Sequence, residues 1–342
     1  MTIRFGEAIP LPANLLEIRN LSRSFKLGGM VLGKRIVAVD NASLRLPGDK
    51  PQIMSIVGES GSGKTTLARM ILRLLTPTSG DIVLGGVPLS VYGKRRNRKA
   101  FLKKVQPIFQ NPFTSFSAQR TVDSYLFETA LNLDVAANRK EAQEVVTEVL
   151  RSVGLELAAV KGKYPNQFSG GELQRISIAR ALIPKPSLIV ADEPVAMIDA
   201  SLRMNIVNLF RRLKDEYNVS FVYITHDLST AYYVSDYIAT MYRGQLIEFG
   251  EARSILNDPS HPYTELLLDS IPRVGNKWDE NVVLSDTDAA EAGSAGCRFS
   301  GRCPYVREAC RAAEPYMVDI APKHQALCIM HNDYQTIDTG RS

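Results

Sequence analysis

Short apolar runs alternate with amphipathic stretches along most of the chain, and the two periods predict strands and helices in turn. Residues 51–57, 187–191 and 221–224 are nearly continuous apolar runs of strand length, the pattern of strands covered on both faces. Residues 65–75, 138–153, 169–182 and 199–217 repeat at helical spacing. In the second of these, Ala142, Val145, Val146, Val149, Leu150 and Val153 fall on one face and Gly154 stops the helix. Ser169 is placed to cap the third. Residues 15–19, 36–39 and 42–46 read as a small sheet, with turns at Gly28-Gly29 and Pro47-Gly48. Strands alternating with helices predict an α/β fold built on a mainly parallel sheet. After Pro259 the pattern weakens, and residues 286–296, small and acidic, read as a linker. No repeat shows at periods of about 20 to 50 residues.

At 342 residues the chain is long enough for a main domain of roughly 200 residues or more and a smaller appendage. Its 45% hydrophobic and 23% charged residues are those of an ordinary globular protein. No run approaches the roughly 18 apolar residues of a membrane-spanning helix, and the first residues lack the basic-then-apolar order of a secretory signal. The expectation is a cytoplasmic chain. A net charge of +5 is too small for a dedicated nucleic-acid binder. The basic cluster at residues 94–104 (Lys94, Arg95, Arg96, Arg98, Lys99, Lys103, Lys104) reads as a solvated helix face, with anionic lipid or RNA as the alternative. The four cysteines, Cys297, Cys303, Cys310 and Cys328, all fall in the last fifth of the chain. In a reducing compartment, grouped cysteines read as metal or cluster ligands before disulfides.

The strongest chemical signal is Gly58-Glu59-Ser60-Gly61-Ser62-Gly63-Lys64-Thr65, a full G-x-x-x-x-G-K-[ST] phosphate loop between a predicted strand and a predicted helix. Its glycines let backbone N–H groups wrap phosphates at a helix N-terminus. Lys64 is placed for the β- and γ-phosphates of a nucleotide and the Thr65 hydroxyl for Mg²⁺. A second signal is the run 188–191 ending in Asp192 and Glu193: a buried strand delivers one carboxylate suited to Mg²⁺ and one suited to activating water. Ser169-Gly170-Gly171-Glu172 opens a helix with exposed N–H groups and a hydroxyl, which suits a second anion clamp, or simply a cap. His226 lies at the end of a predicted parallel strand, where ligand-binding loops gather. Gln110 ends an apolar stretch and is unremarkable alone.

Taken together, residues 58–66, Gln110, 169–172, Asp192, Glu193, Asp199 and His226 have the order and spacing of an ATP-binding cassette ATPase, which residues 12–255 resemble. The resemblance implies a P-loop NTPase core with a parallel sheet, an antiparallel β subdomain and a helical subdomain near residues 112–182. The cassette would occupy residues 1–258 and a cysteine-containing tail residues 259–342. In that family two cassettes sandwich two ATP molecules. The resemblance then has Ser169 and Gly171 clamp the γ-phosphate held by the partner's loop, with Gly170 and Glu172 completing that nucleotide-binding segment. It makes Glu193 the group that polarises water, His226 a γ-phosphate contact and Gln110 a sensor of Mg²⁺ and of the membrane partner. Asp199 would link the two sites, Thr66 would belong to the phosphate loop, and Phe25 would stack on adenine. Phe168, Glu172 and Met197-Ile198 depart from the commoner leucine, glutamine and Ala-Leu without removing a catalytic group.

His261-Pro262-Tyr263-Thr264-Glu265-Leu266-Leu267, then Ile271-Pro272, then the cysteines at C-x5-C-x6-C-x17-C spacing, resemble the tail of oligopeptide/dipeptide importer ATPases. There the cysteines are associated with an iron–sulfur cluster. Chemically, four thiolates suit a 4Fe–4S cluster, tetrahedral zinc, or remain free thiols. The resemblance implies a peripheral subunit on the cytoplasmic face of the cell membrane. Its partners would be two transmembrane permeases, a second and different ATPase and, indirectly, an extracytoplasmic binding protein, with no nucleic acid. Peptides are the family's default cargo; oligosaccharides and nickel are the alternatives. A soluble relative acting on DNA or ribosomes would carry two cassettes or a coiled-coil insertion, and a non-hydrolysing adaptor would lack some of Lys64, Asp192, Glu193 and His226.

Overall fold

The computed structural model describes residues 13–27, 34–271 and 296–331. The N-terminal half begins with strands β1 (Asn14–Leu27), β2 (Lys34–Pro47) and β3 (Ile53–Val57), then helix α1 (Lys64–Ile71). Strands β4 (Ser79–Leu84) and β5 (Val87–Pro88), α2 (Arg95–Lys104) and β6 (Val105–Ile108) follow. Four helices come next, α3 (Val122–Asn132), α4 (Arg139–Ser152), α5 (Leu157–Val160) and α6 (Gly170–Leu182). Then come β7 (Leu188–Asp192), α7 (Ala200–Tyr217), β8 (Ser220–Thr225) and α8 (Leu228–Val234). The chain closes with β9 (Tyr237–Tyr242), β10 (Gln245–Glu251), α9 (Ala252–Asn257), α10 (Pro262–Asp269), α11 (Glu308–Ala312), β11 (Val318–Ala321) and β12 (His324–Ala326).

These elements form two compact units. The first takes described residues 13–23, 41–54 and 65–224. Its four-stranded sheet runs β2-β1-β4-β5, with β1 antiparallel to β4 from Leu16 opposite Leu84. Its second sheet is parallel: Val105 of β6 pairs with Leu188 of β7, and Leu188 with Ser220 of β8. Both faces of β8 are buried, which is why residues 221–224 read as an unbroken apolar run. The ring of Phe210 on α7 lies tilted 5.2 Å from that of Phe221 and edge-on 5.9 Å from that of Tyr223, aromatic contacts that anchor the helix on the sheet.

The predicted helices are present with shifted ends. Residues 65–75 stop being helical at Ile71, because Arg73 turns to φ +57° and its guanidinium donates to the Tyr92 carbonyl. Residues 138–153 form α4, capped by Asn138, whose side chain accepts from the Lys140 and Glu141 N–H groups. Ala142, Val146, Val149 and Leu150 are buried as their spacing predicts. In the basic cluster, Lys99 pairs with Asp134 at 2.9 Å and Lys103 approaches the same carboxylate at 3.9 Å; both ion pairs are exposed.

The second unit takes described residues 24–27, 34–40, 55–64, 225–271 and 296–331. Its sheet is antiparallel where β9, β10, β12 and β11 pair in that order. The strands β11 and β12 were not legible in the sequence, since they are four and three residues long and alternate polar side chains. They are tied down by Glu248 of β10, whose fully buried carboxylate accepts from the Ser260 N–H (2.7 Å), the His261 N–H (3.1 Å) and His324 Nε2 (2.7 Å). Three donors offset the cost of burying that charge. Residues 286–295 of the expected linker 286–296 and the Gly28-Gly29 turn lie outside the described residues. Among the described residues no helix is long and apolar enough to cross a membrane.

His261 caps α10, its Nδ1 accepting the Tyr263 N–H at 3.0 Å. Burial, helped by nearby His331, pushes its imidazole down to about 3. The neutral ring is required in the fold, while the unfolded chain takes up the proton below its ordinary value near 6.5. Stability is therefore full above pH 6.5 and is lost as pH falls toward 3. Lowering the pH from 7 to 5 is expected to cost on the order of 2 kcal/mol through this group. His261→Asn, which keeps a capping oxygen but does not titrate, should flatten the slope of urea-unfolding free energy against pH.

Candidate functional site

In the second unit, β3 runs into the phosphate loop and the loop into Lys64, the first residue of α1. Gly58, Gly61 and Gly63 have φ values of +146°, +80° and +103°. The reasons for glycine differ. A Cβ on Gly58 would lie 2.1 Å from the Met241 carbonyl oxygen, and one on Gly63 would lie 2.2 Å from that of Ala38. A Cβ on Gly61 would meet nothing within 4 Å, so only its backbone angle demands glycine there. The loop is also laced to its neighbours: the Gly244 N–H donates to the Ser62 carbonyl (2.9 Å) and the Asp40 N–H to that of Gly244 (2.8 Å).

Lys64 is buried, and its ammonium donates to the carbonyls of Gly58 (2.7 Å) and Glu59 (2.6 Å) and to Ser62 Oγ (3.2 Å). A charged donor thus lies along the inside of its own loop, within the ring of backbone dipoles that suits an anion. Phe25, half-buried on β1, and His226, exposed directly after β8, belong to the same unit. Asp227 follows His226 and fixes the turn, accepting from the N–H groups of Ser229 (2.9 Å) and Thr230 (3.3 Å).

In the first unit, Thr65 Oγ1 donates to Asp192 Oδ1 at 3.2 Å, so the helix start and the end of β7 bring a hydroxyl and a carboxylate together. Thr66 is half-buried one residue on. Glu193 has φ +50°, a left-handed backbone that a side chain of this size rarely adopts. Its N–H donates to the Ile224 carbonyl at 2.9 Å, which holds the turn in place. Strain of this kind persists only where surrounding structure imposes it, and it gathers at functional sites.

The residues 169–172 open α6 as predicted, in a reciprocal capping box: the Glu172 carboxylate accepts from the Ser169 N–H (2.9 Å) and hydroxyl (2.8 Å), and the Glu172 N–H donates back to Ser169 Oγ. These bonds hold the Glu172 carboxyl below its usual range. Gly170 backs onto the Met197 carbonyl, where a Cβ would lie 3.2 Å away, so the helix start abuts the loop leading to Asp199. Asp199 itself is the exposed N-cap residue of α7. Gln110 is exposed in the turn after β6.

In the first unit the sequence reading missed a residue. Gln174, fully buried on α6, donates its amide to the Pro194 carbonyl (2.9 Å) and at 3.5 Å to that of Phe109. It therefore ties together the residues next to Glu193 and Gln110. A glutamine at a buried helical position between Leu173 and Ile176 was the available signal.

The four cysteines lie in the second unit without disulfides. Cys310 and Cys328 are buried, and Cys297 and Cys303 pack against a cluster of Tyr242, Ile247, Tyr263 and Phe299. The Cys297 N–H donates to the Cys310 carbonyl at 2.8 Å. Burial raises the thiols of Cys297 and Cys303 and pushes that of Cys328 up to about 11; each is raised further by neighbouring cysteines of the set, so the four share one neighbourhood. Among the described residues, no three His, Cys, Asp or Glu side chains are grouped tightly enough to hold a single metal ion.

Comparison with known proteins adds to this geometry. A family model described as ABC transporter matches residues 39–196, and one described as oligopeptide/dipeptide transporter, C-terminal region, matches residues 247–310. The oligopeptide transport ATP-binding protein AppF of Bacillus subtilis (strain 168) is 36% identical over 325 residues, covering 93% of this chain and 98% of that relative. AmiF of Streptococcus pneumoniae, of the same description, is 39% identical over 258 residues, 75% of this chain and 82% of its own. Among solved structures, a dimeric ATP-binding cassette in a post-hydrolysis state bound to ADP and Pi matches with a TM-score of 0.61 and 26% identity, over 70% of this chain and 99% of that one.

The glycine requirements separate cleanly in stability. Gly61→Ala should cost about 1–2 kcal/mol, the penalty of a left-handed backbone alone. Gly63→Ala should cost clearly more, because its methyl group meets a backbone carbonyl that cannot swing aside. Urea-unfolding midpoints of the two variants are the measurement.

Proposed function

The chain belongs to the ABC transporter family, in its oligopeptide/dipeptide branch, and on that premise we propose that it is the ATP-hydrolysing subunit of an importer that drives peptide uptake across the cytoplasmic membrane. The observation that carries the reading is a complete phosphate loop whose closing residue, Thr65, has its hydroxyl 3.2 Å from Asp192, with the strained Glu193 next in the chain. In this reading the N–H groups of residues 58–66 and the ammonium of Lys64 bind the phosphates of ATP. Thr65, Asp192 and Gln110 would hold Mg²⁺, which would supply charge neutralisation at the phosphates. Glu193 takes the proton of the attacking water, His226 contacts the γ-phosphate, and Phe25 stacks on adenine.

The chain carries one phosphate loop and one Ser-Gly-Gly-Glu helix start. Full sites then require a second cassette, onto whose ATP Ser169, Gly170, Gly171 and Glu172 close, with Asp199 joining the two sites. The dimeric solved cassette supports this arrangement. The partners are two transmembrane permeases, a second ATPase subunit of different sequence and, beyond the membrane, a substrate-binding protein. ATP closure and hydrolysis would switch the permeases between outward and inward states.

For the cysteine set we propose a 4Fe–4S cluster that clips the tail. Four thiols in one neighbourhood, two of them buried, support a shared centre, and their spacing lacks the C-x2-C pairs usual at zinc sites. Cys297, Cys303, Cys310 and Cys328 would hold it, and its contribution is structural. Anaerobically purified protein should contain iron and acid-labile sulfide in equal amounts; zinc without sulfide would overturn the assignment.

Glu193→Gln should bind ATP as wild type does and lose turnover by ~100-fold or more, whereas Lys64→Ala should lose binding itself. Equilibrium binding of ATP beside phosphate release separates the two. Wild-type turnover in Glu193→Gln would remove that residue from the role. Affinity purification from solubilised membranes should bring down two multi-spanning proteins and a second cassette ATPase. Ribosomal or DNA-repair proteins in their place would overturn the transport reading.

A further inference from the structure

Glu59, the second residue of the phosphate loop, is held at every polar group it has. Its carbonyl accepts from Lys64 at 2.6 Å. Its N–H donates at 2.9 Å to the hydroxyl of Tyr263, a fully buried side chain on α10. Its carboxylate is forked by Arg302, with Nη2 to Oε1 at 2.9 Å and Nη1 to Oε2 at 3.1 Å. This is the planar two-bond pairing that only arginine makes with a carboxylate. Arg302 is itself set in place: its side chain is 16% exposed and its guanidinium carbon lies 5.9 Å from the ring centroids of both Tyr242 and Phe299. Tyr263 packs 4.6 Å from Tyr242 and 5.5 Å from Phe299.

The origin of the two clamping residues gives the arrangement its meaning. Tyr263 and Arg302 lie outside the stretch matched by the ABC transporter model and inside the stretch matched by the oligopeptide/dipeptide C-terminal model. Arg302 adjoins Cys303, and Phe299 stands between Cys297 and Arg302 in the chain. The segment that distinguishes this branch therefore reaches the phosphate loop of the common ATPase.

We propose that Arg302 and Tyr263 are positioning residues of the ATP site: the cysteine-bearing tail fixes Glu59, and through it the phosphate loop, so that the tail sets ATP affinity. This rests on the ATPase reading above. The physics has two parts. A loop already held in its binding conformation loses less freedom when phosphates arrive. The guanidinium also neutralises a carboxylate that would otherwise repel them. Glu59 is 42% exposed, so solvent screens part of that repulsion and the effect is moderate.

The test is binding of a fluorescent, non-hydrolysable ATP analogue to the full-length chain, alongside steady-state ATPase kinetics. Arg302→Ala should weaken binding roughly tenfold and raise KM for ATP, with kcat at saturation little changed. Arg302→Lys, which keeps the charge and loses the fork, should fall between. Glu59→Gln combined with Arg302→Ala should recover part of the lost affinity, because the unpaired carboxylate is gone; a purely structural role for Arg302 gives no recovery. Tyr263→Phe removes one oxygen from a packed ring, so it should fold and still weaken binding. Unchanged affinity in Arg302→Ala and Tyr263→Phe, with wild type binding normally, would overturn the clamp and leave the ATPase reading intact. Wild-type binding no better than that of Lys64→Ala would overturn both.

Discussion

The loop of residues 58–64 passes two backbone carbonyls, those of Met241 and Ala38, at a distance no Cβ can occupy. A phosphate-binding loop must turn successive N–H groups inward, which requires left-handed backbone at several positions. Free in solution such a loop would sample many shapes. Here its outer side is pressed against the strands that carry Ala38 and Met241, and the Ser62 carbonyl is bonded to the Gly244 N–H. The ring of donors is thus formed in advance by residues of β2 and β9 that lie in the second unit. Lys64 can lie inside that ring because the same geometry points the carbonyls of Gly58 and Glu59 at its ammonium.

The carboxylates at the end of β7 follow a different logic. A parallel strand buried on both faces can hold charged side chains only where it leaves the sheet, and Asp192 and Glu193 come directly after Ala191. Asp192 meets Thr65 at once. Glu193 departs from the strand in a left-handed conformation that costs about 1–2 kcal/mol and that a glycine would relieve. The retained carboxylate is the gain from that strain. Two hydrogen bonds enforce it from either side, the Glu193 N–H to Ile224 and the Gln174 amide to the carbonyl of the next residue, Pro194.

How much of this was legible from the sequence depended on the range of the interactions involved. The elements with strong periodicity, β3, β7, β8, α4, α6 and α7, lay where their patterns placed them, because each carries its own burial signal and α4 and α6 carry side-chain caps as well. The site residues were legible wherever chemistry is written in contiguous positions, as in residues 58–65 and 169–172. Gln174 was not, since its importance lies in two carbonyls 20 and 65 residues away. The tail was the least legible part. Its strands are too short to show a period, and β12 pairs with β10 from 76 residues off through Glu248 and His324. Arg302 stood unremarked beside Cys303, as its partner lies 243 residues upstream.

The tail follows from the chemistry of two glutamates. Glu248 is fully buried and survives there by taking three donors from segments that only the tail region supplies: Ser260, His261 and His324. Removing the tail would leave that carboxylate without its partners, a strongly unfavourable state. Glu59 is the reverse case, a half-buried carboxylate at the edge of the phosphate loop that receives Arg302 from the same region. The aromatic cluster of Tyr242, Tyr263 and Phe299, against which Cys297 and Cys303 pack, touches both sets of partners: Tyr263 accepts from the Glu59 N–H, and Phe299 lies 5.7 Å from the ring of His261. A change at the cysteines that moves Phe299 must also move the ring on which Arg302 rests. Close-packed interiors transmit such shifts, so the contacts that link the cysteine set to Arg302 lead on to the phosphate loop through Glu59.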